Sequence, residues 1–142
     1  MLDKDRVLVK MDELNRYLDE LKQIAPAKLK FKEYQKIETK RSCERLLQLS
    51  IEAVIDICKL FVSGMRLGLP AEENDLFDKM QKKKLLSKEM VVTLKGMKGF
   101  RNILVHEYTD IDDELVFRAL KAKLDDFNKF KKEVASALRA SQ

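Results

Sequence analysis

A broad apolar stripe between residues 37 and 62 is the feature that most limits what this chain can fold into. Its apolar side chains recur every three or four residues, with no proline or glycine between them, which is the period of an α-helix. The stripe is wider than the seam of a coiled coil, and a stripe of this width faces two neighbours. The sequence therefore predicts a long central helix in a bundle, with inward side chains at Leu46, Leu47, Ser50, Ile51, Val54, Ile55, Cys58, Phe61 and Val62.

The rest of the chain also indicates helices, because residues that break them are rare. The 142 residues include 4 glycines and 2 prolines, and both types weaken or end helices. A narrow apolar seam predicts a first helix over about residues 3–24, which Pro26 ends. Residues 27–36 fit either a short helix or the entry to the central helix. Gly64, Gly68 and Pro70 predict the end of the central helix and a loop.

Capping residues and apolar spacing predict the helices that follow this loop. Asn74 or Asp75 is expected to cap a short helix that ends in the lysine run 82–84, and Ser87 to cap the next one. One last helix is expected from about residue 112 to residue 140, with inward side chains at Val116, Leu120, Leu124, Phe127, Val134 and Leu138. The predicted fold is an all-α, up-and-down bundle of four to five helices, with residues 1–142 as a single domain.

Charge and cysteine content narrow the class of protein. The formal net charge of +5 and the isoelectric point of 9.1 suit an anionic partner such as nucleic acid. Cys43 and Cys58 lie on the predicted central helix, about 22 Å apart along its axis, which is too far for a disulfide. We therefore expect reduced cysteines and a cytoplasmic protein. We expect no membrane association, because no apolar run approaches a spanning length and residues 1–6 lack the apolar segment of a signal peptide.

Reactive side chains are concentrated between Gly99 and Tyr108. This stretch holds the chain's single histidine, His106, together with Arg101 and Tyr108. On a regular helix Arg101 and His106 point about 140° apart, so one straight helix does not present both to one site. Two arrangements resolve this conflict. Either the helix ends near His106 and the chain turns back, or the segment pairs with its copy in a second chain.

These residue types suit the cleavage of RNA phosphodiester bonds. An imidazole, whose pKa is ordinarily about 6.5, takes the proton of a 2′-hydroxyl or gives one to the leaving oxygen. A guanidinium holds the phosphate through two hydrogen bonds and stabilises the charge of the transition state. Acid and base in one cycle ask for two titrating groups, and one chain supplies one histidine. A symmetric dimer would supply the second.

An eight-residue run resembles the motif of the HEPN superfamily (higher eukaryotes and prokaryotes nucleotide-binding), in its HepT-like toxin branch: Arg101-Asn102-Ile103-Leu104-Val105-His106-Glu107-Tyr108. That motif is an arginine, four residues of which asparagine is usually the first, a histidine, any residue and a tyrosine. The resemblance extends to the order of the helices, including residues 45–48 and 52–57 of the central one. It implies an all-helical homodimer that acts as a metal-independent endoribonuclease, with the motif in a cleft between the chains.

The resemblance also implies roles for single residues and for partners. Arg101 and His106 would be catalytic, Asn102 would support them, and Tyr108 would be a site component and a target for adenylylation. Members of the family are commonly toxins that a small nucleotidyltransferase antitoxin silences. Expected partners are therefore RNA as the substrate, a cognate nucleotidyltransferase and a second copy of the chain. No cofactor and no metal ion is implied.

Plainer interpretations stand beside these roles. His106 would end a helix, where the dipole favours its charged form, and Arg101 would form a surface or interface ion pair. Tyr108 would be a packing residue with a satisfied hydroxyl. Glu52 and Asp56 lie on one helical face, where they would pair with arginines across an interface or bind a metal ion.

Charged clusters outside the motif leave further alternatives open. The acidic group Asp110, Asp112, Asp113 and Glu114 fits the start of a helix. Lysines at 28, 30 and 32, and at 79 and 82–84, would attract RNA phosphates or form a solvated face. Two other functions are compatible with the sequence. The chain would be a non-catalytic helical partner and substrate of a minimal nucleotidyltransferase, or a purely structural helical dimer.

Overall fold

The helices follow the apolar periodicity of the sequence. In the computed structural model, which describes residues 1–107 and 110–140, this part of the chain forms helices and no strands. They are α1 (Lys4–Ile24), α2 (Phe31–Tyr34), α3 (Ile37–Gly64), α4 (Glu73–Lys82), α5 (Lys88–His106), α6 (Asp113–Ala122) and α7 (Asp125–Ala140). The predicted all-α class is confirmed, and the predicted limits of the first and central helices agree with α1 and α3 to within two residues.

Helix α3 is the centre of the molecule, as its wide stripe predicts. It packs against α1, α2, α4 and α5. All of the predicted inward side chains of the stripe are buried except Leu46, which is partly buried. Ser50 is the polar member, and its hydroxyl donates to the carbonyl oxygen of Leu46 at 2.7 Å, which satisfies it inside the core. Cys43 and Cys58, also on α3, are free thiols and are buried, as predicted.

The single last helix expected over residues 112–140 was wrong, because the chain forms two helices there. Helix α6 ends at Ala122 and α7 begins at Asp125. Lys123 caps α6 with its N–H bonded to Ala119, and its own carbonyl accepts from Asp126 at 3.1 Å. Two carboxylates in the first turn of α7 favour a helix start at this point, because they face the positive end of the helix dipole.

The start of α4 also differs from the prediction. The helix begins at Glu73, before both of the residues expected to cap it. Asp75 instead works from inside the first turn, where its carboxylate accepts from the N–H groups of Ala71 and Glu72 at 2.8 and 3.2 Å. Residues 27–36, left open by the sequence, contain the single turn α2.

Helix α5, which carries the predicted site, is anchored at its start. The hydroxyl of Ser87 accepts from the N–H of Met90 at 3.1 Å, which confirms the predicted cap. The N–H and hydroxyl of Ser87 also donate to the carboxylate of Glu133 on α7, at 2.7 and 2.8 Å. None of the helices in the described ranges combines the length and apolarity that crossing a bilayer requires.

Candidate active site

The C-terminal turn of α5 presents His106 to solvent. The helix ends at His106, and the N–H of Glu107 closes its last turn on the carbonyl of Ile103 at 2.9 Å. Leu104 is 5% exposed and fixes this turn to the core. The helix therefore ends at His106, as the first of the two expected arrangements requires, but His106 is still part of the helix and is not turned back toward Arg101. Tyr108, the remaining predicted site residue, lies outside the described residues.

Arg101 is held in place by contacts from three sides. Its Nη2 donates to the Oε1 of Glu73 at the start of α4, and its Nη1 lies 3.8 Å from the Oε2 of Glu52 on α3. Its Nε donates to the Oδ1 of Asn102 at 3.0 Å. The side chain is 14% exposed, so these contacts are partly shielded from water. These contacts hold the guanidinium in one orientation.

The predicted site residues are thus only partly brought together. Asn102 contacts Arg101, as its supporting role requires. Among the contacts of the described residues, none joins Arg101 to His106; the arginine faces α3 and α4, and the histidine lies exposed at the end of α5. A single copy of the described chain therefore does not place the guanidinium and the imidazole against one phosphate.

Glu52 and Asp56 of α3 were expected to pair with arginines across an interface or to bind a metal ion, and each faces a cation of its own chain. Glu52 faces Arg101 of the same chain and also accepts from the amide of Gln48 at 3.1 Å. Asp56 lies 3.5 Å from the Nζ of Lys10 on α1. The pKa of Lys10 is raised, first by its hydrogen bond to Glu13 and then by the charge of Asp56. Glu52 and Asp56 are therefore both paired with cations inside one chain.

The acidic group before α6 has the structural role expected for it. The side chain of Asp112 caps α6 by accepting from the N–H of Glu114 at 2.9 Å. Asp113 lies 3.3 Å from the Nζ of Lys40 on α3, which links the start of α6 to the central helix. Neither contact leads toward Arg101 or His106.

One partner of the arginine was not identified from the sequence. Glu73 lies 28 residues before Arg101, and no motif or periodicity joins the two. Glu73 also lines a cavity of about 630 Å³ between the end of α3 and the start of α4. Lys59, Ser63 and Arg66 are further residues of its wall. The cavity and Arg101 therefore share one side chain.

A second exposed feature runs along the face of α5 opposite its buried side chains. Val92, Gly96, Gly99 and His106 recur at helical spacing, and all four are exposed. Val92 retains 67% of its surface. A Cβ atom added at Gly96 or Gly99 would meet nothing within 4 Å. The backbone of α5 is therefore open to close approach along the same line that ends at His106.

Comparisons with known proteins identify the family of the chain. The profile of the ribonuclease HepT-like family matches residues 14–134. The tRNA nuclease HepT of Aphanizomenon flos-aquae is 32% identical over 130 residues, which cover 91% of this chain and 87% of that protein. The mRNA nuclease HepT of Shewanella oneidensis is 33% identical over 84 residues, which cover 59% of this chain and 63% of that protein.

One solved structure of similar fold is that of a HEPN toxin. It is the tri-AMPylated HEPN toxin of Shewanella oneidensis in complex with MNT antitoxin, with a TM-score of 0.84 and 27% identity. The likeness covers 96% of this chain and 99% of that one. Because the family profile spans most of the sequence and a relative above 30% identity is matched along nearly its whole length, the chain belongs to the ribonuclease HepT-like family of HEPN proteins.

Proposed function

We propose that this chain is a metal-independent endoribonuclease, the toxin of a HEPN and nucleotidyltransferase toxin–antitoxin pair, acting on RNA in the cytoplasm. The observation that carries the proposal is the motif at the end of α5, in which Arg101 is fixed by three contacts and His106 is exposed one turn later. Relatives named as a tRNA nuclease and an mRNA nuclease support RNA as the substrate class. We treat residues 1–142 as one domain.

The chemistry follows from what the two side chains can do. The 2′-oxygen of a ribose attacks the neighbouring phosphorus while an imidazole takes the 2′-hydroxyl proton. The bond from phosphorus to the 5′-oxygen breaks, and a second imidazole gives that oxygen a proton. Arg101 binds the non-bridging oxygens and stabilises their charge in the transition state, and Asn102 holds the guanidinium through its Nε.

This scheme needs a second histidine, which we assign to a second copy of the chain. The exposed line of Val92, Gly96 and Gly99 on α5 supports a homodimer, because two glycines allow two helix backbones to approach closely and His106 lies on the same line. The apolar groove of about 830 Å³ beside it, lined in part by Val92, Met97 and Phe100, supplies the surface to bury. The motif would then lie in a cleft between two chains.

Regulation by a nucleotidyltransferase is the second part of the proposal. The Shewanella oneidensis HEPN toxin of similar fold is AMPylated and bound to its MNT antitoxin. By analogy, a cognate nucleotidyltransferase binds this chain and adenylylates Tyr108, the tyrosine of the motif. Co-expression with that enzyme, followed by mass spectrometry, is expected to find AMP on Tyr108 and none on a Tyr108→Phe variant. A chain modified in this way yet inactive on RNA in its free form would favour the non-catalytic alternative.

The nuclease proposal is tested by replacing the imidazole. His106→Ala is expected to lower RNA cleavage by a factor on the order of 10² or more, because proton transfer is lost from a reaction that general acid–base catalysis accelerates by about 10²- to 10⁴-fold. Its melting temperature should match that of the original protein, since His106 is exposed. The measurement is the cleavage rate of a labelled RNA in the presence of a metal chelator.

The matched control is Glu107→Gln, which changes the adjacent exposed residue and should leave cleavage unchanged. Cleavage at the original rate by a folded His106→Ala protein would remove the assigned role of the imidazole. Cleavage that stops when the chelator is added would contradict the metal-independent route.

A further inference from the structure

We propose that the cavity between α3 and α4 is a binding subsite for one nucleotide of the RNA, next to the phosphate that Arg101 holds. The inference rests on the nuclease proposal above and adds a second region to the substrate-binding surface. The cavity is about 630 Å³, within the range of about 300–1,000 Å³ that small-ligand sites occupy.

Glu73 connects the cavity to Arg101. This residue lines the cavity, and its carboxylate is one of the two that accept from or face the guanidinium of Arg101. Along α3, Glu52 and Lys59 lie two turns apart on one face, so the arginine contact and the cavity wall are about 10 Å apart along the axis. A strand that binds Arg101 through one phosphate and runs toward the end of α3 reaches the cavity within a few nucleotides.

The charges around the cavity fit a phosphate. Lys59 and Arg66 line it, both are exposed, and neither forms an ion pair with another residue of the described ranges. The ammonium of Lys79 lies beside the loop, 3.0 Å from where a Cβ of Gly68 would be. Two carboxylates, Glu72 and Glu73, also line the cavity, and Glu73 is paired with Arg101. Lys59, Arg66 and Lys79 outnumber the remaining carboxylate of Glu72, so the positive charge around the cavity attracts an anion.

The apolar part of the wall fits a base. Val62 and Leu76 are buried and form the floor, and Leu69 and Pro70 stand on the rim. Leu69 is 95% exposed, so it contributes little to the fold and is available to a ligand. An apolar surface bordered by lysine and arginine is what a single-stranded nucleotide needs, because its base seeks apolar contact and its phosphate seeks positive charge.

The loop is built to keep this shape. Arg66 has φ of 53° and Gly68 has φ of 108°, two left-handed residues within three positions. The N–H of Leu67 bonds to the carbonyl of Val62 at 2.9 Å, which closes the end of α3 beneath the loop. Backbone hydrogen bonding therefore fixes the chain up to Leu67, two residues before the rim residue Leu69.

The test measures RNA binding without cleavage. A labelled single-stranded RNA is titrated into the His106→Ala protein, and into the same protein carrying Lys59→Ala and Arg66→Ala. We expect about tenfold weaker binding at about 50 mM salt, and a slope of log affinity against log salt that is shallower by about 1.4, because each lost phosphate contact on a single strand removes about 0.7. Lys82→Ala with Lys83→Ala, at the far end of α4, is the matched control and should change both values much less.

A fluorescence probe reports on the base. The chain contains no tryptophan, so Leu69→Trp places a single fluorophore on the rim of the cavity. RNA is expected to quench it, and an RNA lacking bases is not. Val9→Trp, an exposed position on α1, is the control that should not respond.

The outcomes separate this inference from the nuclease proposal. Unchanged affinity and salt slope in the Lys59 and Arg66 variant, or an equal loss in the control, overturn the subsite while leaving the nuclease intact. RNA that does not bind the His106→Ala protein at all counts against both. If the variant keeps RNA affinity but loses the dimer or the nucleotidyltransferase, the cavity is a protein interface and the inference is wrong.

Discussion

At the scale of single residues, Arg101 is oriented before any substrate arrives. Two carboxylates and one amide contact its three guanidinium nitrogens. A side chain fixed in this way loses less conformational freedom when it binds a phosphate. The motif allowed Arg101, Asn102 and His106 to be predicted as site residues. It did not reveal Glu73, because that residue meets the arginine only after α4 has packed against α5.

Removing this support should affect turnover more than binding. We expect Glu73→Gln to lower kcat for RNA cleavage about tenfold with little change in KM, because a neutral amide holds the guanidinium less firmly and misplaced catalytic groups lose rate. Steady-state kinetics on one RNA give both constants. Glu73→Asp keeps the charge and should restore part of kcat.

The control for this variant is on the same pair of helices. Asp78→Asn removes a carboxylate of α4 that pairs with Lys95 of α5 at 2.8 Å, away from Arg101. Its kcat should equal that of the original protein. If Glu73→Gln lowers only the melting temperature and leaves kcat per folded molecule unchanged, Glu73 has no positioning role.

At the scale of the helices, the apolar periodicity predicted the length and position of α3 but did not predict the break between α6 and α7. The stripe of α3 predicted its length and central place correctly. The spacing of Leu120, Leu124 and Phe127 continues through the break between α6 and α7, so periodicity alone could not find it. The sequence did contain one sign of this break: Asp125 and Asp126 are two adjacent carboxylates, and carboxylates favour the first turn of a helix.

The two thiols of α3 make the stability of the folded chain depend on pH. Burial, and then the charge of Glu44, raise the pKa of Cys43 from 9.0 to about 11, and burial raises the pKa of Cys58. The folded state therefore keeps these protons when the unfolded state has lost them. The stabilisation is complete below pH 9 and is lost as pH rises toward 11.

We expect the free energy of unfolding to fall over this range, at up to about 1.4 kcal/mol per pH unit for each thiol. Urea unfolding in the presence of a reductant, at several values between about pH 8 and 11, measures the slope. Cys43→Ala should make the slope shallower, while the titration of other groups stays the same. An identical slope in Cys43→Ala would show that this thiol does not titrate in the proposed range.

At the scale of the whole molecule, one chain supplies one histidine, and it does not contact Arg101 in the described residues. The exposed line of Val92, Gly96, Gly99 and His106 lies on the face of α5 opposite its buried side chains. We therefore propose that the complete site lies between two copies of the chain. The sequence predicted this need from the count of titrating groups, and the geometry of the interface is the part that no sequence pattern specifies.

Mixed dimers test whether two histidines act together. A dimer with one original chain and one His106→Ala chain, isolated with two different affinity tags, is expected to cleave RNA at about one hundredth of the original rate, because one proton-transfer group is missing from the shared cleft. The control is a mixed dimer with Glu107→Gln in one chain, which should keep full activity. Half the original activity in the first dimer would mean that each chain has an independent site.

The loop between α3 and α4 has a consequence for how such nucleases diversify. Its residues from Leu69 to Glu72 are exposed, so substitutions there alter the rim of the cavity without disturbing the packed interior. On the proposed subsite, such substitutions change which RNA is bound while leaving Arg101 and His106 of α5 in place. Relatives that share one scaffold and act on different RNAs, as the names of two of them indicate, are the expected product of that division of labour.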